Sequence, residues 1–418
     1  MEKSAYISDA SSCADKVRWL IGLLFIFASL MPWTHLSTNN LDSQPWPLLL
    51  AILFIFSQGL RLRIPLAYLL ASMLLTIGVV TALFFTERPG SFLVFRAIAN
   101  YSTIAAIFLA SYVFYRNYGF PYRLIIATNL IWLIVAGMEI VSPDISSALS
   151  TLRTTPDRGV TSLAPEPTFF AIYLFFLSWL IIEQSRSVAF AFAKPLVIAN
   201  VLSIFFLAQS AMVILYLVLA LGSYGFYVVA QSSRFRDALG VAALILLLVV
   251  IFSTLLSTLA SESRAVNLIA ELKNQKSLME IIAVDASVNQ RLEAVVFSLY
   301  AAFDNVLVPH GFDQFIDKRN ELISCCERVF WYRTESNKVM SWIGALVFEL
   351  GLFGLLSFLV FCGLAYQSSL GSVIKLGFLT LLLLSAIPLA FPLIPMLVAL
   401  MSSKKVHAEK NPHKCKMA

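Results

Sequence analysis

The chain has 418 residues, of which 59% are hydrophobic and only 13% charged. Soluble domains carry about a quarter charged residues, so this composition excludes a soluble globular protein and points to a polytopic membrane protein. The net charge is +6, and for such a protein its placement matters more than its sum.

Residues 1–16 form a short polar tail, and the first span covers about 17–36. That apolar run is too long for a cleavable signal and lacks a small-residue cleavage site, so it reads as an uncleaved span. Span 2 covers about 45–60 and is closed by Arg61 and Arg63; span 3 covers about 64–85. Span 4, about 92–115, carries Arg96 in its first turns, and span 5, about 123–141, carries Glu139 near its end. A loop over 142–166 leads into span 6, about 167–182. Pro195–Ala230 then gives 36 uncharged residues, too many for one span and few for two. Gln209-Ser210 is the polar break among them, so spans 7 and 8 are expected to meet there at a tight turn.

Span 9 covers about 238–259, a polar stretch follows over 260–340, and span 10 covers about 341–366. Residues 373–401, interrupted by Pro388, Pro392 and Pro395, suit a short hairpin of two spans or one kinked span. The expectation is an all-α membrane protein of about twelve spans, or eleven in the kinked case. It divides into N-terminal membrane helices (1–259), a large outer loop (260–340), C-terminal membrane helices (341–401) and a basic tail (402–418). In the loop, Ser261–Ser287 suits surface helices, Val288–Ala302 is helix-like with Arg291 in its first turn, and Asn305–Phe315 contains a turn. This loop reads as a cap on the membrane domain.

Charge orients the chain. With the N-terminus in the cytoplasm, 17 of the 30 Lys and Arg residues fall on inner segments and 4 on short outer loops or their margins. Long loops are largely exempt from this rule. Both termini are therefore expected inside, with the 80-residue stretch and Glu166 outside.

The helix entry Arg158-Gly159 through Pro165-Glu166-Pro167-Thr168-Phe169-Phe170 stands out. Pro167 suits a first helical turn, where its missing N–H would be unpaired anyway. Pro165 and Pro167 disfavour α geometry in Ala164 and Glu166. Glu166 is thus expected on stiff backbone at a helix N-terminus, where the dipole favours its charge. Arg96, Glu139, Arg158, Glu166 and Glu349 all sit in or beside spans on the outer side. Such residues normally face a bundle interior or a water-filled cavity; snorkelling at the interface is the simpler account of Arg96 and Glu139. For Glu349, in mid-span, a structural hydrogen bond explains it as well as a functional role does.

Arginines in an outward cavity suit a phosphate or pyrophosphate. No Asp-x-Asp pair is present to hold a metal against it, and His35, His310, His407 and His413 are scattered, so no metal site and no cofactor is expected. Glu166 or His310 is the candidate general base. Among the five cysteines, Cys325 and Cys326 are adjacent, which is poor geometry for a mutual bridge.

Four stretches, spread over about residues 150–400, resemble the Wzy-type bacterial polysaccharide polymerases and the O-antigen ligases of the same superfamily. They are Arg158-Gly159 to Phe170; Ala208-Gln209-Ser210; Arg291 with Pro309-His310-Gly311-Phe312-Asp313-Gln314-Phe315; and Ser341-Trp342-Ile343 with Glu349-Leu350-Gly351-Leu352-Phe353-Gly354. Ligases of this group typically carry a His-Asn pair before that last glutamate. This chain has Met340-Ser341 there, which favours polymerase over ligase; a glycolipid flippase is the alternative from another class.

The resemblance implies a GT-C-like fold in the bacterial inner membrane with a periplasmic loop. It implies glycan transfer from undecaprenyl pyrophosphate to a lipid-linked repeat unit, and a chain-length regulator as partner, with no nucleic acid. Arg158, Arg291 and Arg96 would bind pyrophosphate, and Glu166 would position or deprotonate the acceptor hydroxyl, with His310 the second catalytic candidate. Gly159, Pro167, Gly311 and Glu349 would support them.

Overall fold

A computed structural model describes residues 2–34, 44–59, 62, 64–143, 159–185, 192–231, 286–323, 330–331, 337–385 and 387–410. All the elements among them are helical. They are α1 (Glu2–Leu30), α2 (Trp46–Gln58), α3 (Leu66–Phe84), α4 (Phe92–Tyr118), α5 (Tyr122–Val141), α6 (Pro167–Ser185) and α7 (Ala193–Ser203). The series continues with α8 (Ala211–Gln231), α9 (Ala286–Asp304), α10 (Phe315–Ile323), α11 (Trp342–Ala365), α12 (Leu370–Leu383) and α13 (Leu393–Lys410). A π-helical turn, Ile204–Ala208, extends α7.

The helix starts are written in the sequence. Pro45, Pro65 and Pro121 directly precede α2, α3 and α5, and Pro167 opens α6. Ser91, Ser341 and Ser369 cap α4, α11 and α12, each side chain accepting from a backbone N–H three residues on.

Among the described residues, six helices are long and apolar enough to cross a membrane: α3, α4, α5, α6, α8 over Met212–Gln231, and α11. Four shorter apolar segments accompany them: Trp46–Gln58, Ala193–Ala208, Leu370–Leu383 and Leu393–Ser403. Leu49, Leu53 and Phe56 of α2, and Leu69, Leu70, Met73, Val80 and Phe84 of α3, are exposed. Helix faces carrying so many exposed apolar side chains suit lipid and not water. By these features the chain is a multi-pass membrane protein, helical throughout its described elements.

Over the expected hairpin at 373–401 the chain does form two helices, α12 and α13, but each packs mainly on other helices, α12 on α8 and α11 and α13 on α4, α6 and α11, so the pair is not a closed hairpin. The break between spans 7 and 8 falls at Gln209-Ser210 as expected. Expected span 9 (238–259), the segment up to residue 285, Arg158 and Cys325-Cys326 lie outside the described residues.

Polar groups tie the helices together. Asn129 of α5 and Asn200 of α7 exchange amide hydrogen bonds of 2.9 Å, and Asn200 also donates to Ser178 of α6 at 3.0 Å. Such bridges pair amides that would otherwise be stranded in an apolar interior. Near the C-terminal end of α6, Lys375 of α12 donates to both oxygens of Glu183 at 2.8 and 3.0 Å. Towards the N-terminal end of α6 lies an aromatic plug: Trp132 stacks on Tyr173 at 4.0 Å, and Trp33 stacks on Phe169 and Phe391, each at 5.7 Å.

The expected span 10 corresponds to α11, but that helix breaks at Gly351 (φ 60°, ψ −137°). An unbroken helix would run a bond from Leu352 N–H to Phe348 C=O. Instead Leu352 N–H donates to Leu307 C=O at 2.8 Å, and Phe348 C=O accepts from His310 N–H at 3.0 Å. The 307–310 segment is wedged into the break and satisfies both groups. A Cβ on Gly351 would overlap the Leu307 carbonyl.

Gly351→Ala should therefore lower stability by about 3 kcal/mol, combining a strained positive φ with overpacking. Gly363→Ala, later in the same helix and open around its Cα, should be close to neutral. Thermal unfolding of the two detergent-solubilised variants checks this pair.

Candidate functional site

The helix entry before α6 is held by its backbone. Gly159 has φ +98°, and a Cβ there would lie 2.8 Å from the Leu207 carbonyl and 2.9 Å from that of Ala208. Only glycine combines that backbone with such a close approach. Val160 N–H then donates to Leu207 C=O at 2.8 Å. That carbonyl is available because the chain leaves the helix here: the π turn ends in Gln209, left-handed at φ 48° and ψ 35°.

The next two residues wrap a carboxylate. Glu139, at the end of α5, accepts from Thr161 N–H at 3.0 and 3.2 Å, from Thr161 Oγ1 at 2.9 Å and from Ser162 N–H at 2.6 Å. Ser162 is left-handed at φ 54°, so successive N–H groups converge as a small anion-binding nest. Its own hydroxyl donates to Trp132 C=O at 2.7 Å, seating the loop on the aromatic plug. Ala164 N–H closes a turn on Thr161 C=O at 3.0 Å. Glu139 thus positions the entry loop; the snorkelling account expected from sequence does not describe it.

Glu166 follows at the helix start. Its carbonyl accepts from Phe169 and Phe170 N–H at 3.0 and 3.1 Å. Its half-buried carboxylate makes no hydrogen bond or ion pair among the described residues. It sits at the positive end of α6 with its charge available. Pro167 is the first residue of the helix, as expected.

Arg291, on the first turns of α9, rests its Nη1 3.4 Å from Met212 Sδ. Met212 lies in the first turn of α8, directly after the Gln209-Ser210 turn. The loop arginine and Gly159 are therefore brought to the same helix break, from opposite sides in the sequence. Deeper in α9, Glu293 and Arg319 of α10 form a fully buried ion pair. Burial raises the Glu293 carboxyl above its ordinary range, and Arg319 opposes that.

The other expected residues gather around the break in α11. Gly311 has φ +82°, and a Cβ there would lie 2.7 Å from the Phe85 carbonyl. Phe312 N–H donates to Thr86 Oγ1 at 2.9 Å. His310 stacks its ring on Phe348 at 4.4 Å, and its Nδ1 is buried without a partner among the described residues. Burial, with Lys318 nearby, holds this imidazole below its ordinary value, so it is neutral at physiological pH. On the next residue of α11, Glu349 accepts from Tyr101 O–H of α4 at 2.6 Å. Arg96 lines the same small cavity as Glu349 and Asp313.

Two groups result. Gly159, Glu166, Pro167 and Arg291 belong to the α6 and α8 entries; Arg96, His310, Gly311 and Glu349 belong to the α11 break. Sequence reasoning missed Tyr101 altogether, because a tyrosine in an apolar helix carries no signal of its partner. No protein-family model matches the chain, and neither a curated protein nor a solved structure does.

Glu139→Gln replaces one acceptor oxygen with a donor facing the N–H groups of Thr161 and Ser162. Loss of a charge-assisted bond should speed amide exchange at these residues roughly 10- to 100-fold; mass-spectrometric hydrogen exchange reads it out. For His310 the sign is fixed by its depressed folded value. The unfolded imidazole protonates first as pH falls, so stability is full above about 6.5 and declines below it. The thermal midpoint of His310→Gln should fall less steeply on acidification than that of the wild type.

Proposed function

We propose that this chain is a polysaccharide polymerase of the Wzy type, working at the outer face of a bacterial inner membrane. The reading keeps about twelve spans in a GT-C-like arrangement, both termini in the cytoplasm and the 260–340 stretch as a periplasmic cap. The donor is a glycan on undecaprenyl pyrophosphate, and the acceptor is a single lipid-linked repeat unit. A chain-length regulator is the expected partner, and no cofactor is required.

The observation that carries this reading is the convergence on one helix break. The Gly159–Glu166 loop is pinned there by Leu207 and Glu139, and Arg291 rests against the start of α8. An arginine there, with Arg158 beside Gly159 in the chain, offers forked donors to a pyrophosphate. Glu166 offers a carboxylate with no competing partner among the described residues.

In the reaction, the acceptor hydroxyl oxygen bonds to the donor's anomeric carbon, and the bond from that carbon to the pyrophosphate oxygen breaks. Undecaprenyl pyrophosphate leaves with the electron pair, and the hydroxyl proton passes to Glu166. Arginines stabilise the charge that develops on the leaving group. Holding two long substrates at one loop supplies further acceleration by proximity.

Arg158→Ala and Arg291→Ala should each leave the protein in the membrane and abolish long glycans in cells. Gel electrophoresis of the extracted glycans checks this, and a normal ladder of lengths from either variant would contradict the reading. Long glycan accumulating on undecaprenyl pyrophosphate after deletion of the gene would instead identify a ligase.

A further inference from the structure

We infer that the cavity between the first turns of α4, Asp313 and the 388–390 turn is a binding subsite for a single neutral sugar ring, with Glu349 its hydrogen-bond acceptor. The inference rests on the polymerase reading and gives the acceptor's terminal sugar its own subsite, apart from the pyrophosphate arginines.

The cavity measures about 260 Å³. Small-molecule sites begin at about 300 Å³, so this one suits one ring and not a chain. Its walls are apolar at Leu93, Ala97 and Leu389. Its polar groups are Arg96, Asn100, Asp313, Asn337, Lys338 and Glu349. The 388–390 wall is fixed to the start of α11, because Leu389 C=O accepts from Trp342 Nε1 at 3.3 Å and Leu384 C=O from Ser341 Oγ at 2.9 Å.

Glu349 is the group that asks for a ligand. It is only 9% exposed. Oε2 accepts from Tyr101 O–H at 2.6 Å, and Oε1 has no hydrogen bond among the described residues. Glu349 is not one of the fully enclosed polar groups that lack a partner, so this oxygen opens onto the cavity that the residue lines and can take a donor there. A sugar hydroxyl supplies that donor. Arg96 lines the same cavity close enough to attract the Glu349 charge, with no hydrogen bond of its own among the described residues. Asn337 accepts from Ile316 N–H at 2.8 Å through Oδ1, which leaves its amide N–H groups for another acceptor.

Charge decides between a sugar and a phosphate. Two cations, Arg96 and Lys338, share the cavity with two carboxylates, Asp313 and Glu349. A pyrophosphate would lie against both acids. A polyol is neutral and both donates and accepts, so it can use groups of either sign. This gives Arg96 a different task from the pyrophosphate role that the family resemblance implies.

Two variants of the full-length protein test this. Glu349→Gln keeps an acceptor for Tyr101 but loses the charge; Ala97→Phe fills the cavity and leaves Glu349 intact. The first measurement is saturation-transfer NMR with a panel of free monosaccharides and short oligosaccharides. At least one sugar should give signals with the wild type that both variants lose. The second is elongation with each substrate titrated in turn. The acceptor KM should rise roughly 10- to 100-fold, as for loss of a charge-assisted hydrogen bond, with the donor KM unchanged. Wild-type NMR signals retained by both variants, no sugar signal with the wild type, or donor and acceptor KM moving together would overturn the subsite. A wild type that elongates nothing yet binds sugar through Glu349 would overturn the polymerase reading and leave the subsite standing.

Discussion

Where water is excluded, a backbone N–H or C=O freed from a helix has to find a partner inside the protein. Two helical runs among the described residues are broken, and each break is repaired by a segment from elsewhere. The π turn at the end of α7 leaves Leu207 C=O free, and Val160 N–H takes it at 2.8 Å. Gly351 opens α11, and Leu307 and His310 take the two groups released. The repairing segments are the ones that carry the candidate chemistry. Gly159 to Glu166 is anchored by the first break, and His310 to Asp313 by the second. These candidate loops are therefore held in place because the helices beside them are interrupted.

What could be read from sequence follows from which signals are local. Pro167 at the start of α6 and the Gln209-Ser210 turn were legible because proline and a polar pair inside an apolar run act on their own neighbourhood. The division into α12 and α13 was legible for the same reason, given Pro388 and Pro392 between them, but which helices each packs on was not. The Gly351 break was not, because glycine is common in membrane helices that stay straight; what makes this one a break is a distant carbonyl, at Leu307. Glu139 looked like an interfacial charge. Its partners, Thr161 and Ser162, are 22 and 23 residues on, and a nest of N–H groups has no side-chain signature. The pairing of Tyr101 with Glu349 spans 248 residues and lay beyond any spacing rule.

The two groups of candidate residues differ in electrostatic character. At the α6 entry an arginine stands against a turn, Glu139 is wrapped in backbone donors, and Glu166 keeps its charge available. At the α11 break, acids and bases balance around a small cavity. The proposed transfer between two lipid-linked glycans would use both kinds of place, one for a highly charged leaving group and one for a neutral incoming sugar. The wedge of 307–313 lies between them in the chain, following α9, which carries Arg291, and meeting α11, which carries Glu349.

The most direct measurement is reconstitution. The purified chain is given a single defined repeat unit on undecaprenyl pyrophosphate, in the presence of a metal chelator, and products are separated by length. The account predicts a ladder of longer lipid-linked glycans with release of undecaprenyl pyrophosphate. A repeat unit recovered unchanged from folded protein would contradict it.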